Sequence, residues 1–292
     1  MHKNFILGIL LTLIFSCPAA GADFTDALNR QISIPQPPQR IVSLVPSVTE
    51  ILFKLGLEKR IVAATDFCTY PEAALKLPKV GGYADPSLES ILLHQPDLII
   101  ASADVNRPSL IRRLELMGIP VFVVYPQTVE DTLTTIQNIG QVTGTEIRSK
   151  RLVDSLKTRI QRVQLKIATL TQPTTLACVM LQPLTVAGPD TFVADIIHIA
   201  GGQNVVPKGP SRYPTWNTEA LLTVNPETVI VSTYPGQPSP KHFFDHWPQL
   251  QAVRKQRIIQ IEADWIHRPG PRMILGIEAL AKALHPEISI DE

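Results

Sequence analysis

Short apolar runs of strand length alternate along the chain with longer segments in which apolar residues recur every three or four positions. This alternation predicts an α/β protein with mainly parallel sheets, because a parallel connection needs a crossover segment that is usually a helix. The apolar runs predict strands at 40–44, 61–64, 98–101, 121–124, 176–181, 229–231 and 257–261. The periodic segments predict helices at 46–56, 129–142, 191–199 and 273–284.

Residues 145–170 contain neither glycine nor proline, and their apolar residues recur mostly three to four positions apart. A helix of this length would span roughly 40 Å, which is about the diameter of a domain. We therefore predict one long connecting helix with a single buried stripe, which lies across two lobes and is ended by Pro173.

An internal repeat is the strongest sign of how the chain is organised. Residues 88–102 and 218–232 share an order of glutamate, leucine, proline, acid, aliphatic residues and serine, and a tyrosine stands six residues before each glutamate. Any helix that is followed by a strand could share the aliphatic residues and the proline, but this does not explain the paired glutamates and tyrosines. These are Glu89, Glu219, Tyr83 and Tyr213. We predict two homologous lobes, 23–144 and 171–292, related by a pseudo-twofold axis, with a ligand-binding cleft between them.

Residues 1–22 have the layout of a secretory signal peptide. Lys3 supplies the positive start, residues 5–15 form an apolar run that is short for a membrane span, and small residues precede the cleavage site. We predict cleavage after Ala22; a lipid anchor at Cys17 is the alternative. In both cases the mature protein works outside the cytoplasm, in the periplasm.

Composition excludes several classes of function. The formal net charge is +1 and no basic stripe is present, so neither nucleic acid nor an anionic lipid surface is an expected partner. Cys68 and Cys178 are the cysteines that survive cleavage, and they fall in opposite halves. We therefore expect two buried free thiols rather than a disulfide.

The sequence lacks the motifs of common enzymes: a GxSxG elbow, a Walker loop, a GxGxxG after a strand and an HExxH. His242 and His246 stand four residues apart and could share a helix face as metal ligands, but histidines at this spacing also occur on solvated helices. We expect a protein that is not an enzyme and holds no metal or cofactor of its own. A secreted hydrolase is the alternative from a different class.

Several motifs follow the order found in one known family. They are RIVSLVPSVTE at 40–50, YP at 70–71, VGGY at 80–83, LE at 88–89, QPDL at 95–98, GGQN at 201–204, YP at 213–214, Glu219, and DWIHR at 264–268. With them the chain resembles the periplasmic cobalamin-binding proteins of ATP-driven vitamin importers, within a wider class that also binds haem and iron-siderophores. The resemblance implies two Rossmann-like α/β lobes, one rigid backbone helix, little closure of the cleft, and cobalamin or a related corrinoid as ligand. We expect the receptor to be monomeric.

The resemblance also implies which residues contact the ligand. A corrinoid is a large disc with amide arms, so its site needs flat apolar surfaces against the ring and polar groups at the rim. Phe67, Tyr83 and Tyr213 match ring-contacting aromatics, although ordinary packing would also explain them. Asp264 and Arg268 match a polar pair that grips ligand side chains, although they could instead form a surface ion pair.

Three more residues are expected at the ligand. Trp265 lies inside the matching 264–268 segment. The helix that begins near Pro46 and Ser47 points its N-terminus at the family's cleft, where free N–H groups could bind a ligand oxygen. An ordinary helix cap by Ser47 is the alternative interpretation.

Because the sequence departs from the family pattern at three positions, a second class of ligand is also compatible with it. Ser102 stands where some family members present a tryptophan to the cleft, and tyrosines replace larger indoles at two further positions. Haem or a ferric siderophore is therefore the alternative ligand, and for haem the residue that binds iron would be Tyr83, Tyr213 or His267.

Glu89 and Glu219 match a different kind of site. In the family, one glutamate on the crown of each lobe docks into arginines of the membrane permease, and two matching anchors suit a dimeric permease. Stabilisation of a helix N-terminus by an acidic residue in its first turn is a second role that the same glutamates could fill.

Overall fold

The computed structural model describes residues 21–289, except Gln36, Pro235 and Pro238. The predicted signal segment up to residue 20, including Cys17, therefore lies outside the described residues. Gly21 and Ala22, which the predicted cleavage would remove, begin the first strand. Among the described residues, no helix is both long enough and apolar enough to cross a membrane.

The first lobe is a four-stranded parallel sheet with helices around it. Its strands are β3 (Ile41–Ser43), β4 (Ile61–Ala64), β5 (Leu98–Ser102) and β6 (Val121–Val124), in the order β4-β3-β5-β6. Its helices are α1 (Pro46–Lys54), α2 (Leu88–Leu93), α3 (Pro108–Leu116) and α4 (Val129–Thr143), and an antiparallel hairpin of β1 (Gly21–Thr25) and β2 (Gln31–Pro35) precedes them. Every residue of β5 is buried, as expected for a parallel strand covered on both faces.

The second lobe repeats this arrangement. Its strands are β7 (Thr174–Leu181), β8 (Leu184–Val186), β9 (Gln203–Asn204), β10 (Thr228–Thr233) and β11 (Ile258–Glu262). Its helices are α6 (Phe192–Ile199), α7 (Thr218–Val224), α8 (Lys241–Phe244), α9 (Gln251–Arg254), α10 (Ala263–His267) and α11 (Met273–Leu284). Its parallel strands follow the order β9-β7-β10-β11, which is the order of the first lobe, and β8 is added as an antiparallel arm on β7. The duplication predicted from the repeat is therefore present in the topology.

The connecting helix α5 (Glu146–Ile167) packs against α4 of the first lobe and against α6 and α11 of the second. Its 22 residues span about 33 Å. Its buried stripe runs from Val153 to Val163. The predicted end at residue 170 was three residues too far, because residues 168–170 form a turn closed by the N–H of Leu170, which donates to the carbonyl of Ile167 at 2.9 Å.

One apolar core runs from the first lobe through α5 into the second, so the lobes are not joined by a flexible linker alone. The N–H of Val129, at the start of α4, donates to the Asp195 carboxylate of α6 at 2.7 Å and adds a polar bond between the lobes. Cys68 and Cys178 are buried and free, one in each lobe, as predicted. Burial raises the pKa of the Cys178 thiol to about 12.

Candidate functional site

The parallel strands of both lobes direct their carboxyl ends at a cavity of about 310 Å³ between the lobes. This is the usual position of ligand sites in open α/β sheets, because the loops at this edge carry the variable side chains. Of the predicted ligand-binding residues, five line the cavity: Pro46, Ser47, Phe67, Tyr83 and Arg268. Tyr213, Asp264 and Trp265 do not line it.

An aromatic pair forms one wall of the cavity. The rings of Phe67 and Tyr83 meet edge to face, with centroids 4.8 Å apart and an interplanar angle of 75°. Phe67 is 49% exposed and Tyr83 is 37% exposed, so both rings retain free surface. A half-exposed aromatic pair in a cavity is suited to contact with a flat apolar ligand.

Asn106, which was not predicted, fixes the loop that carries Tyr83. Its side chain is buried, and its Nδ2 donates to the backbone carbonyl of Tyr83 at 2.6 Å. Its Oδ1 accepts from the N–H of Ser102 at 2.8 Å, and the Ser102 hydroxyl accepts from the N–H of Asp104 at 3.2 Å. The end of β5 and the Tyr83 loop are therefore one hydrogen-bonded unit at the cavity.

Helix α1 begins at the cavity without a side-chain cap. Val45 is the N-cap residue and Pro46 opens the helix, so the alternative that Ser47 caps it was wrong. Ser47 is almost fully buried, lines the cavity, and packs against Gly270 of the second lobe, where an added Cβ would lie 3.3 Å from the Cβ of Ser47. The first turn of α1 therefore faces both the cavity and the opposite lobe.

Tyrosines approach the cavity from the second lobe as well. Tyr213 lies outside the cavity lining, but burial and the charge of Asp104, a lining residue of the first lobe, both act to raise its pKa. Tyr234 was not predicted and lines the cavity directly. Burial raises the pKa of Tyr234, with smaller contributions from Asp264 and Tyr83. Tyrosines of both lobes therefore converge on one cleft.

A buried cluster of four charged side chains joins the lobes next to the cavity. Glu50 of α1 and Arg272 of the second lobe form a bidentate pair, with Nε–Oε2 at 2.9 Å and Nη2–Oε1 at 2.6 Å. Asp264 binds Arg272 at 3.1 Å through Oδ2, and binds the Nε of Arg268 at 2.9 Å through Oδ1. The guanidinium of Arg272 also lies 4.0 Å from the ring centroid of Tyr70.

Within this cluster, Arg268 is the member that reaches the cavity. Its Nη1 is buried and has no hydrogen-bond partner among the described residues, and it lies 3.9 Å from Oε1 of Glu50. Asp264, expected beside the ligand, lies behind Arg268 with both oxygens bound to arginines. Burial raises the pKa of Glu50 above its ordinary value, against the opposing effect of Arg272.

Helix α10 directs His267 and Trp265 to different sides. His267 lines the cavity, and its Nε2 lies 2.8 Å from the Ser232 hydroxyl. Burial lowers the His267 pKa to about 4, so the ring is neutral at pH 7. Trp265 lines a separate depression with residues of β11 and α11. Trp265 therefore does not line the cavity, because residues two positions apart on a helix are turned about 200° from each other.

With this geometry in place, comparison with known proteins assigns the family. A model of the periplasmic binding proteins matches residues 41–265. The chain belongs to this family. Residues 41–265 include the parallel sheets of both lobes, the connecting helix, and Glu50 and Asp264 of the charge cluster, and they end before α11. The resemblance and the two-lobed α/β fold predicted from the sequence are thereby confirmed.

Individual relatives of this periplasmic binding protein cover most of its length. The vitamin B12-binding protein of Photorhabdus laumondii is 30% identical over 249 residues, which are 85% of this chain and 88% of the relative. The uncharacterized ABC transporter substrate-binding lipoprotein YvrC of Bacillus subtilis is 30% identical over 269 residues, 90% of this chain and 85% of the relative.

Two solved structures have the same fold. The periplasmic vitamin B12 binding protein BtuF of Vibrio cholerae has a TM-score of 0.79 at 24% identity, covering 86% of this chain and 98% of that one. The periplasmic haem-binding protein BhuT in complex with two haems has a TM-score of 0.75 at 26% identity, covering 84% and 98%. Family membership agrees with a location outside the cytoplasm, whereas cleavage after Ala22 and lipid at Cys17 stay predictions.

The paired glutamates of this periplasmic binding protein occupy equivalent positions. Glu89 and Glu219 are both exposed and are the second residues of α2 and α7. The Glu89 pKa is lowered by its backbone N–H and by the Ser87 hydroxyl, which lies 3.2 Å from the carboxylate. His242, considered as a metal ligand, lies 3.3 Å from Asp245. The described residues contain no group of three or more potential metal ligands.

Sequence reasoning missed Glu50, Asn106, Arg272 and Tyr234. A signal for Tyr234 was available, since extending the repeat by two residues beyond Ser102 and Ser232 aligns Asp104 with Tyr234, and both line the cavity. No local pattern could pair Glu50 with Arg272, because 222 residues separate them.

Proposed function

We propose that the protein is the extracytoplasmic substrate-binding component of an ABC importer and that it captures cobalamin or a related corrinoid. The observation that carries this proposal is the composition of the inter-lobe cavity. The Phe67–Tyr83 pair offers an apolar surface on one side, and Arg268 offers on the other an N–H donor that no described residue binds. A corrinoid needs both, because its ring is flat and its rim carries hydrogen-bond acceptors.

The shape of the cleft supports partial enclosure of such a ligand. A cavity of about 310 Å³ is at the low end for drug-sized ligands, so a corrinoid would enter edge first and leave its outer rim near Tyr213. The shared core through α5 favours a cleft that changes little on binding. Binding is reversible and needs no covalent chemistry, so we expect no turnover of ester, phosphate or glycoside substrates.

Calorimetric titration of the purified protein with cyanocobalamin tests this function. We expect saturable binding of one ligand per chain. We also expect Tyr83→Ala and Arg268→Ala each to weaken binding by about tenfold or more, because each removes a central contact. Arg151→Ala on the exposed face of α5 is the matched control for the arginine variant. Haem and ferrichrome are titrated as competing ligands. If cyanocobalamin gives no heat of binding, the corrinoid assignment is excluded.

Haem is the second candidate ligand. Three tyrosines surround the cleft, Tyr83, Tyr213 and Tyr234, and a tyrosine oxygen can bind ferric iron. The third predicted iron ligand, His267, has its Nε2 next to the Ser232 hydroxyl. A sharp, ligated Soret band after haem addition, with no response to cobalamin, would reverse the order of the two candidates.

Docking to the permease is proposed through Glu89 and Glu219. Both carboxylates are exposed, one on each lobe at equivalent helix positions, as a dimeric partner requires. The double variant Glu89→Ala plus Glu219→Ala should abolish assembly with the permease and leave corrinoid affinity unchanged. Glu146→Ala is the matched control, since Glu146 is also an exposed acid in the first turn of a helix. Unchanged permease binding by the double variant would exclude this role.

A further inference from the structure

The charges around the cavity are closely balanced. The buried cluster contains the acids Glu50 and Asp264 and the guanidiniums of Arg268 and Arg272, so its net charge is zero when both acids are ionised. The positive charge of Arg268, the cluster member that lines the cavity, is therefore already neutralised within the protein.

The remaining ionisable residues do not add positive charge to the lining. Asp104 lines the cavity from the first lobe with a further carboxylate, and His267 is neutral at pH 7 because burial lowers its pKa to about 4. Arg212, next to Tyr213, does not line the cavity and donates its Nε to the carbonyl of Asp190 at 2.8 Å. A ligand carboxylate would therefore meet a wall whose summed charge is negative.

Arg268 nevertheless keeps a donor for a ligand. Its buried Nη1 has no partner in the described part of the chain, and Oε1 of Glu50, 3.9 Å away, is already bound at 2.6 Å by Arg272. A neutral oxygen such as a carboxamide carbonyl can accept from Nη1 and needs no excess charge. A carboxylate would pay its desolvation without a free countercharge.

We infer that Glu50 determines the charge selectivity of the cleft. By balancing Arg272 it leaves Arg268 without excess positive charge, so the cleft prefers macrocycles whose peripheral groups are neutral carboxamides over macrocycles that carry carboxylates. This inference rests on the proposed function, in which a macrocycle occupies the cavity. Glu50 does not line the cavity, so it acts through the charge of the cluster rather than by touching the ligand.

A matched pair of corrinoids tests the inference. Dicyanocobinamide carries amide arms and dicyanocobyrinic acid carries carboxylate arms on the same ring with the same axial ligands. For the unaltered protein we expect dicyanocobinamide to bind at least about tenfold more tightly, measured by absorbance or fluorescence titration at neutral pH. In Glu50→Gln, which gives the cluster one positive charge, we expect the affinity for the acid to rise about tenfold and that for the amide to stay within about threefold.

The control is Glu278→Gln. Glu278 forms a comparable bidentate pair with Arg159, at 2.8 and 2.5 Å, away from the cavity, and its loss should leave the ratio of the two affinities unchanged. An unchanged ratio in Glu50→Gln would overturn the inference. So would a parallel loss of affinity for both ligands, since that result indicates only loosened packing.

Two further measurements keep the test decisive. If circular dichroism shows that Glu50→Gln does not fold, Asp264→Asn makes the same change in charge and should shift the ratio in the same direction. If neither corrinoid binds, haem is compared with haem bis-amide, whose propionates are neutral. A preference for the amide that Glu50→Gln reduces would then leave the inference standing while the corrinoid proposal fails. Binding of neither macrocycle would overturn both.

Discussion

The two lobes share a framework but present different walls to the cleft. Their parallel strands follow the same order, and Ser102 and Ser232 occupy equivalent strand ends. In the first lobe, Ser102 organises its own loop with Asn106 and Asp104. In the second lobe, the Ser232 hydroxyl lies 2.8 Å from His267 and donates to a carbonyl of β7.

This difference separates what was duplicated from what diverged. The duplicated part is the sheet with its crossover helices, where packing limits change. The divergent part is the set of loops at the strand ends, where the first lobe carries the Phe67–Tyr83 pair and the second carries the Arg268–Asp264 pair. Apolar contact and hydrogen bonding are thus assigned to opposite walls, and Glu50 of the first lobe binds Arg272 of the second.

Removal of the Glu50–Arg272 bridge between the lobes should have the largest effect on the free energy of unfolding. Arg272→Ala leaves the buried Glu50 without its bidentate partner, so we expect the free energy of unfolding to fall by about 3–5 kcal/mol. Urea denaturation followed by circular dichroism measures it. Arg159→Ala, which breaks a more exposed pair with Glu278, should cost clearly less. A loss below about 1 kcal/mol for Arg272→Ala would show that the bridge does not hold the lobes together.

The second lobe should also be the more acid-sensitive. The folded pKa of His267 is about 4 against an ordinary value of 6.5, so its contribution to stability is present above pH 6.5 and is lost as the pH falls towards 4. The shift corresponds to roughly 3 kcal/mol. Glu50, whose folded pKa is raised, acts in the opposite direction, since stability is gained as it protonates.

The variant His267→Gln isolates this contribution. We expect its free energy of unfolding to fall less than that of the unaltered protein when the pH is lowered from about 7 to about 4. Denaturant titrations at both values measure the difference. If the two proteins respond equally to pH, His267 is not the residue that makes the fold acid-sensitive.

Asparagines in the two lobes allow a further comparison. Asn106 bridges Ser102 and Tyr83 in the first lobe, and Asn204 bridges Val206 and Ala187 in the second, at 3.0 Å to each. Each change to alanine leaves buried backbone groups without a partner and should cost about 1–3 kcal/mol.

Of these two asparagines, only Asn106 binds the loop that carries Tyr83, a residue that lines the cavity. Asn106→Ala should also weaken corrinoid binding, because it frees the Tyr83 loop, whereas Asn204→Ala should not, because Asn204 lies on the short strand β9 and does not line the cavity. Calorimetry on both variants checks this. If Asn106→Ala and Asn204→Ala bind the corrinoid with equal affinity, Asn106 does not stabilise the site.

The sequence was sufficient where burial on both faces left an unambiguous pattern. The strands at 61–64 and 121–124 and the last helix were predicted to the residue, because each is a continuous apolar run or a strongly periodic segment. The hairpin β1–β2 and the strand β9 were not predicted, since β1 alternates between exposed and half-buried residues and β9 has only two residues, so neither contains a continuous apolar run.

The site was predictable only in part, for a physical reason. Phe67, Tyr83 and Arg268 could be named because they fall in segments that resemble a known family. The cluster around Arg268 could not, because it depends on tertiary contact between α1 and the second lobe. Trp265, which was expected at the ligand, lines a separate depression instead of the cavity, because membership of a matching segment does not specify the direction of a side chain.

The caps of the paired helices α2 and α7 give the smallest effect and the closest test of equivalence between the lobes. The Ser87 hydroxyl accepts from the N–H of Ser90 at 3.1 Å, and the Asn217 carbonyl oxygen accepts from the N–H of Ala220 at 2.8 Å. Each change to alanine should cost about 1 kcal/mol in urea denaturation. In Ser87→Ala the Glu89 pKa should also rise, because the Ser87 hydroxyl helps to lower it, and carboxyl chemical shifts followed through an acid titration would measure this. An unchanged Glu89 pKa would indicate that the Ser87 hydroxyl does not contribute to lowering it.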